Sequence, residues 1–132
     1  MKNIYIIATA AAKNIFSEQP LWDALSEEKY EVREIHELPR IEKNEIAITD
    51  IEIAGEIKKR FKDEMKAVKL IVLVCSKETL QKRIPGFSQE YYKKRISASE
   101  LMAMTYGDYR VDSDDLGLAA ELILHYIALQ EL

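Results

Sequence analysis

The run LIVLVC at 70–75 is apolar at every position, and KNIYIIATA at 2–10 is nearly so. A strand with apolar side chains on both faces has to be covered on both faces. The arrangement that does this is a parallel sheet with helices packed above and below. The two runs therefore constrain the fold more than any other feature of the chain. The run at 2–10 has no strand ahead of it to pair with, so it is placed near the centre of the sheet.

Between and after these runs the periodicity alternates between strand and helix. Residues 11–19 read as a loop, and Pro20 suits the first turn of a helix, PLWDALSEEK, with Leu21, Trp22 and Leu25 on its apolar stripe. YEVREI at 30–35 alternates, as a strand nearer the sheet edge would. Thr49 and Glu52 match a capping box at the start of a long helix whose Ile53, Ile57, Phe61 and Met65 recur every four residues. Residues 76–87 carry Pro85-Gly86 and read as a loop, followed by short helices at about 88–95 and 98–106. DYRV around 109–112 fits a last short strand, and the chain closes on a helix across 114–131. Strands alternating with helices predict one α/β domain over 1–132: three α/β/α layers around a mostly parallel sheet, flavodoxin- or Rossmann-like.

Charge and composition narrow the partners. The formal net charge is −4, so no nucleic-acid partner is expected, and YYKKR at 91–95 is the candidate for a local basic patch. No apolar stretch is long enough to cross a bilayer, and MKNIYIIATAAA reads as a strand rather than a secretion signal. One cysteine, Cys75, gives neither a disulfide framework nor a thiolate metal centre, so no metal is expected and a reducing cytoplasm is the expected compartment. The closing helix is apolar on nearly all sides, at Leu116, Leu118, Leu122, Ile123, Leu124, Ile127 and Leu129. A single domain has too little core to bury all of these, which points to a homo-oligomer built on this helix.

Open parallel sheets bind ligands beyond the carboxyl ends of their strands. That directs attention to residues 8–19, 75–87 and the 97–100 turn, where Tyr5, Thr9, Phe16, Trp22, Ser76, Ser97, Ser99 and Glu100 are expected to converge on a small molecule. The first turn, ATAAAKN, has alanine where a dinucleotide cradle needs glycine. His36 and His125 stand in no recognisable triad context, and His125 is expected to be packed or interfacial.

Several segments, taken in order, resemble the nucleoside 2-deoxyribosyltransferase family. NIYIIA followed by FSEQPLWDALSEEKYEV is similar to that family's first strand, phenylalanine loop and helix. FKDEMKAVKLIVLV resembles its aspartate ahead of an apolar strand, and SASELMAMTYGDYRV its turn, glutamate and helix. The resemblance implies that Glu100 is a nucleophile attacking the anomeric carbon of a nucleoside or nucleotide, with no cofactor. It further implies that Asp63 assists in holding sugar and base, Tyr5 orients the glutamate, and Phe16 or Trp22 stacks on the base. The chain departs from the family pattern at Ser97 and Ser99, where glycine is usual, and at Lys93, Lys94 and Arg95, where an aspartate is usual. Domains with N-glycosidase or NADase activity, including Toll/interleukin-receptor-like ones, share the strand, serine turn and glutamate helix. AVKLIVLVCSKETLQKRIPGFSQEYYKKRIS is also similar in spacing to NADPH-dependent FMN reductases, which implies a flavodoxin-like FMN-binding redox protein as an alternative. A third reading is a non-catalytic oligomeric sensor or interaction domain.

Glu100 itself has two readings. Ser97-Ala98-Ser99-Glu100 is a capping box, a motif that stabilises a helix by about 0.5–2 kcal/mol without any ligand. A carboxylate in the first turn of a helix is also held in its ionised form by the neighbouring N–H groups, as a nucleophile requires. Both remain open on the sequence.

Overall fold

The computed structural model describes residues 3–10, 17–28, 30–35, 45–60, 68–83 and 104–132, with single positions at 90, 93, 94, 97 and 101; Glu52, Lys59 and Arg60 are described by backbone alone. The elements in order are β1 (Ile4–Thr9), α1 (Gln19–Ser26), β2 (Glu31–Glu34), β3 (Glu45–Asp50), α2 (Ile51–Arg60), β4 (Val68–Val74), α3 (Lys77–Arg83), β5 (Tyr109–Asp112) and α4 (Leu116–Gln130). Five strands form one sheet in the order β2-β3-β1-β4-β5, and every pairing is parallel. Helices cover both faces, so the expected three-layer flavodoxin/Rossmann-like architecture is the one observed.

The core follows from strand alternation. Tyr5 and Ile7 of β1, Ile46 and Ile48 of β3, and Ile71 and Leu73 of β4 face α1 and α4. Ile6 and Ala8, Ala47, and Val68, Leu70 and Val72 face α2 and α3. β1 is the central strand and is buried from Tyr5 to Thr9, which is why its sequence carries no polar face. α1 supplies Leu21, Trp22 and Leu25 to the first cluster, with Pro20 in its first turn as the sequence indicates. Tyr109 of β5 stacks on Tyr126 of α4 with ring centroids 4.5 Å apart, fixing that helix against the sheet edge.

Three local readings of the sequence are overturned. EIAITD is a strand, β3, inserted between β1 and the edge strand β2. Thr49 is therefore not a helix cap: its hydroxyl donates to the carbonyl of Ile35 at 3.0 Å, bonding β3 to the end of β2. Residues 77–83 are helix rather than loop. Ser76 caps α3, its Oγ accepting from the N–H of Thr79 at 3.3 Å, with Glu78 in the first turn and Lys82 and Arg83 in the last. On α2 the buried face runs through Ile51, Ala54, Ile57 and Lys58, while Ile53 is half-buried; Phe61 and Met65 lie outside the described residues. The short helices expected between 88 and 106 are represented by helical backbone at each described position from Glu90 to Thr105.

Inserting β3 changes the winding. A classic Rossmann half runs 3-2-1 and flavodoxin begins 2-1-3; here β2 takes the edge and β3 lies beside β1. Arg33 of β2 and Glu45 of β3 form an ion pair across this added contact.

At the amino end of the sheet, a second polar tie holds β4 and β5 in register. The Lys58 ammonium, nearly inaccessible, donates to the carbonyl of Val68 at 2.9 Å and pairs with Asp108 Oδ2 at 2.8 Å. Asp108 Oδ2 also accepts from the N–H of Leu70 at 2.7 Å. Truncating a partner of a buried pair leaves the other charge uncompensated. Lys58→Ala is accordingly expected to lower the unfolding free energy by about 3 kcal/mol, read from the shift of the urea midpoint at unchanged slope.

Candidate functional site

The carboxyl edge of the sheet brings together the ends of β1, β4 and β5. After β1 the chain passes to α1, whose residues pack on one face; after β4 it passes to α3, whose Leu80 packs on the other. Adjacent strands whose connections leave toward opposite faces define a topological switch point, where sheets of this kind receive their ligands.

At this point stands a buried polar cluster. Glu18 occupies the N-cap position of α1, yet its side chain makes no bond to that helix. Both of its carboxylate oxygens accept instead from the Thr9 hydroxyl at the end of β1, at 3.0 and 3.1 Å. Arg83, at the end of α3, reaches back over the sheet edge to Glu18 Oε2 at 3.4 Å. The same guanidinium donates to Ser113 Oγ at 3.0 Å and to the Ser113 carbonyl, just after β5. Ser113 is bonded in turn to the carbonyl of Val74, through its N–H at 2.8 Å and its hydroxyl at 3.2 Å. Relative exposures of 1% for Thr9, Glu18 and Ser113 and 6% for Arg83 place the whole set out of water. One ion pair thus joins the two helical layers across the switch point.

Burial pushes the Glu18 carboxyl up to about 7, against the opposing pull of Arg83 and the Thr9 hydrogen bond. Cys75, half-buried beside the cluster, is pushed up to about 11, chiefly by burial, so its thiol stays protonated at neutral pH and is no nucleophile. Asp114 is held below the usual carboxylate range, first by the N–H of Ser76, which it accepts at 2.8 Å. A carboxyl group titrating near neutral pH can store and release a proton. Its burial makes Glu18 a positioning group for Arg83 and the adjoining turns.

The residues named from the sequence distribute unevenly. Thr9 and Ser76 stand at this edge, Thr9 within the cluster and Ser76 as the cap of α3 that also contacts Asp114. Tyr5 stands near the amino end of β1, fully buried, with its hydroxyl donating to Glu131 Oε1 of the C-terminal segment at 2.7 Å. Trp22 is packed in the core beneath α1. Ser97 is exposed on helical backbone. Phe16, Asp63, Ser99 and Glu100 lie outside the described residues. Glu18, Arg83 and Ser113 were missed. Arg83 had a visible signal: SKETLQKR carries a serine cap, an early acid and late bases, the marks of a helix. Its Leu80 and Arg83, three apart, share the inward face.

Among the described residues, no group of three His, Cys, Asp or Glu side chains is arranged to hold a metal ion. Within the same residues no helix is long and apolar enough to cross a membrane. The fold and this edge define an open, all-parallel three-layer α/β domain with a buried acid–arginine pair at its switch point. No protein-family model and no curated protein sequence matches the chain.

The pH dependence of stability follows from Glu18. Its folded value lies above the ordinary 4.5, so its contribution is fully present below about 4.5 and is lost as pH rises through about 7. Glu18→Gln, a neutral isostere, is expected to remove this dependence. Between pH 4.5 and 8 the wild type should lose on the order of 3 kcal/mol relative to the variant, measured by denaturant titrations across that range.

Proposed function

We propose that this chain binds a nucleoside or nucleotide at the carboxyl edge of its sheet and cleaves or transfers across the N-glycosidic bond. The observation that carries the reading is the switch point itself, where Thr9, Glu18, Arg83 and Ser113 fix the ends of β1, α3 and β5 around the edge at which such sheets take their ligands. The chemistry rests on the resemblance of SASELMAMTYGDYRV to the deoxyribosyltransferase turn, with Glu100 as nucleophile and Asp63 assisting. The nucleophilic carboxylate would displace the base from the anomeric carbon to give a glycosyl ester. Water or a second base would then resolve the ester.

Incubation with deoxyribonucleosides, ribonucleotides and NAD, with free bases added, is expected to yield base release or exchange on chromatography. Glu100→Ala is expected to abolish it, a loss of at least 10³-fold by analogy with other removed nucleophiles. Absence of turnover in both proteins overturns the reading for these substrates.

The same proposal includes self-association through α4. Leu118 and Leu129 are each about half exposed, at 51% and 53%, and lie on the outer side of the helix with half-buried Leu122 between them. A pair of copies packed along this stripe would remove those side chains from water. Replacing both Leu118 and Leu129 by glutamate is expected to convert a dimer to a monomer in light scattering, leaving the circular dichroism unchanged. The free thiol of Cys75 suits a reducing, cytoplasmic setting.

A further inference from the structure

We propose that two copies of this chain join edge to edge: β5 of one pairs antiparallel with β5 of the other about a two-fold axis at Val111, and the flanks of α4 above that edge close against each other. The inference rests on the self-association through α4 proposed above, and it adds the strand edge and its register.

β5 is the last strand of the sheet, so among the described residues its side away from β4 has no neighbouring strand. Burial along it alternates. Val111 is buried on the α4 face, whereas Arg110 and Asp112 are exposed on the other. Asp112 Oδ1 accepts from the N–H of Asp114 at 2.9 Å. Among the described residues the Arg110 guanidinium has no hydrogen-bond or ion-pair partner. An open strand edge is a template for another chain, and charges on it ordinarily keep a second copy away. Here the two charges are opposite in sign and lie two residues apart. Antiparallel pairing about Val111 sets Arg110 of each copy across from Asp112 of the other, with Cβ atoms roughly 4.5–5.5 Å apart. Centring the pair on Arg110 or on Asp112 instead would set like charges face to face, so the same two residues select the register.

α4 supplies the apolar part. Tyr126 stacks on Tyr109 of β5, which identifies the flank of the helix that leans over this edge. Leu118, Leu122, Tyr126 and Leu129 follow that flank at spacings of four, four and three residues. Leu118 and Leu129 are half exposed and Leu122 half-buried. A two-fold axis normal to the sheet keeps both α4 helices on one face of the joined sheet, antiparallel, with these flanks toward each other. A four-residue strand makes too few bonds to hold two copies by itself, and the leucine stripe adds apolar area beside it. The opposite edge, β2, lacks this combination. Its Arg33 is already paired with Glu45, and among the described residues no large apolar side chain of α1 or β2 is exposed.

The test is sedimentation velocity of the intact chain and its variants, with circular dichroism as the check on folding. Wild type is expected to be a dimer. Arg110→Asp sets like charges across the axis at two places and is expected to raise the dissociation constant about 10-fold or more, as is Asp112→Arg. Mixing the two variants restores opposite charges at both places. The mixture is therefore expected to regain dimer at concentrations where neither variant forms it alone, a rescue that misfolding cannot imitate. A mixture that stays monomeric overturns the proposed register. Variants that dimerise with wild-type affinity, while Leu118→Glu with Leu129→Glu dissociates the pair, overturn the edge pairing and leave self-association through α4 standing. A wild type that sediments as a monomer at every concentration overturns both. Should Asp112→Arg not fold, Arg110→Asp against Arg110→Ala decides: the aspartate has to weaken the dimer more than the alanine does, and equal affinities sink the pairing.

Discussion

Burial of β1 on both faces is the constraint from which the rest of the structure follows. From Tyr5 to Thr9 every side chain is out of water, so the strand needs a neighbour on each side and a helical layer on each face. β3 and β4 supply the neighbours, α1 and α4 one layer, α2 and α3 the other. The same requirement creates the switch point. A chain that covers both faces sends some connections to each, and here the neighbouring strands β1 and β4 send theirs to opposite faces, which leaves their carboxyl ends between two layers.

Polar groups enter this apolar frame at its two ends and serve different ends there. At the amino end Lys58 and Asp108 satisfy backbone groups of β4, so their charges are used on hydrogen bonds that the edge pairing would otherwise leave open. At the carboxyl end Glu18 and Arg83 are joined to each other through one longer contact and to the sheet through Thr9 and Ser113. The first arrangement is a fastening. The second sets a buried carboxyl beside a buried guanidinium where the two helical layers meet.

The misread segments show where local pattern stops being informative. Thr49 and Glu52 satisfy the spacing of a capping box, but Thr49 is bonded to Ile35 of the neighbouring segment. The same four residues fit either a helix start or a strand end, and only the presence of β1 alongside selects the strand. Arg83 carries a charge, which in isolation reads as solvated; tertiary packing turned it inward because Ser113 and Glu18 arrive there from thirty and sixty-five residues away.

The sequence by itself determined the layered, parallel class of fold and its central strand. The apolar runs at 2–10 and 70–75 and the stripes on α1 are short-range patterns that burial reads directly. It also marked Thr9 and Ser76, because they follow strands. Tertiary structure alone decided the strand order, the place of β3, and the site's buried members. Tyr5, at the opposite end of β1, was turned to Glu131, and Glu18 was drawn off its own helix to Thr9. The physical reason is range. Apolar periodicity is set by the nearest few residues, whereas a buried charge is stable only beside partners that the completed fold brings to it.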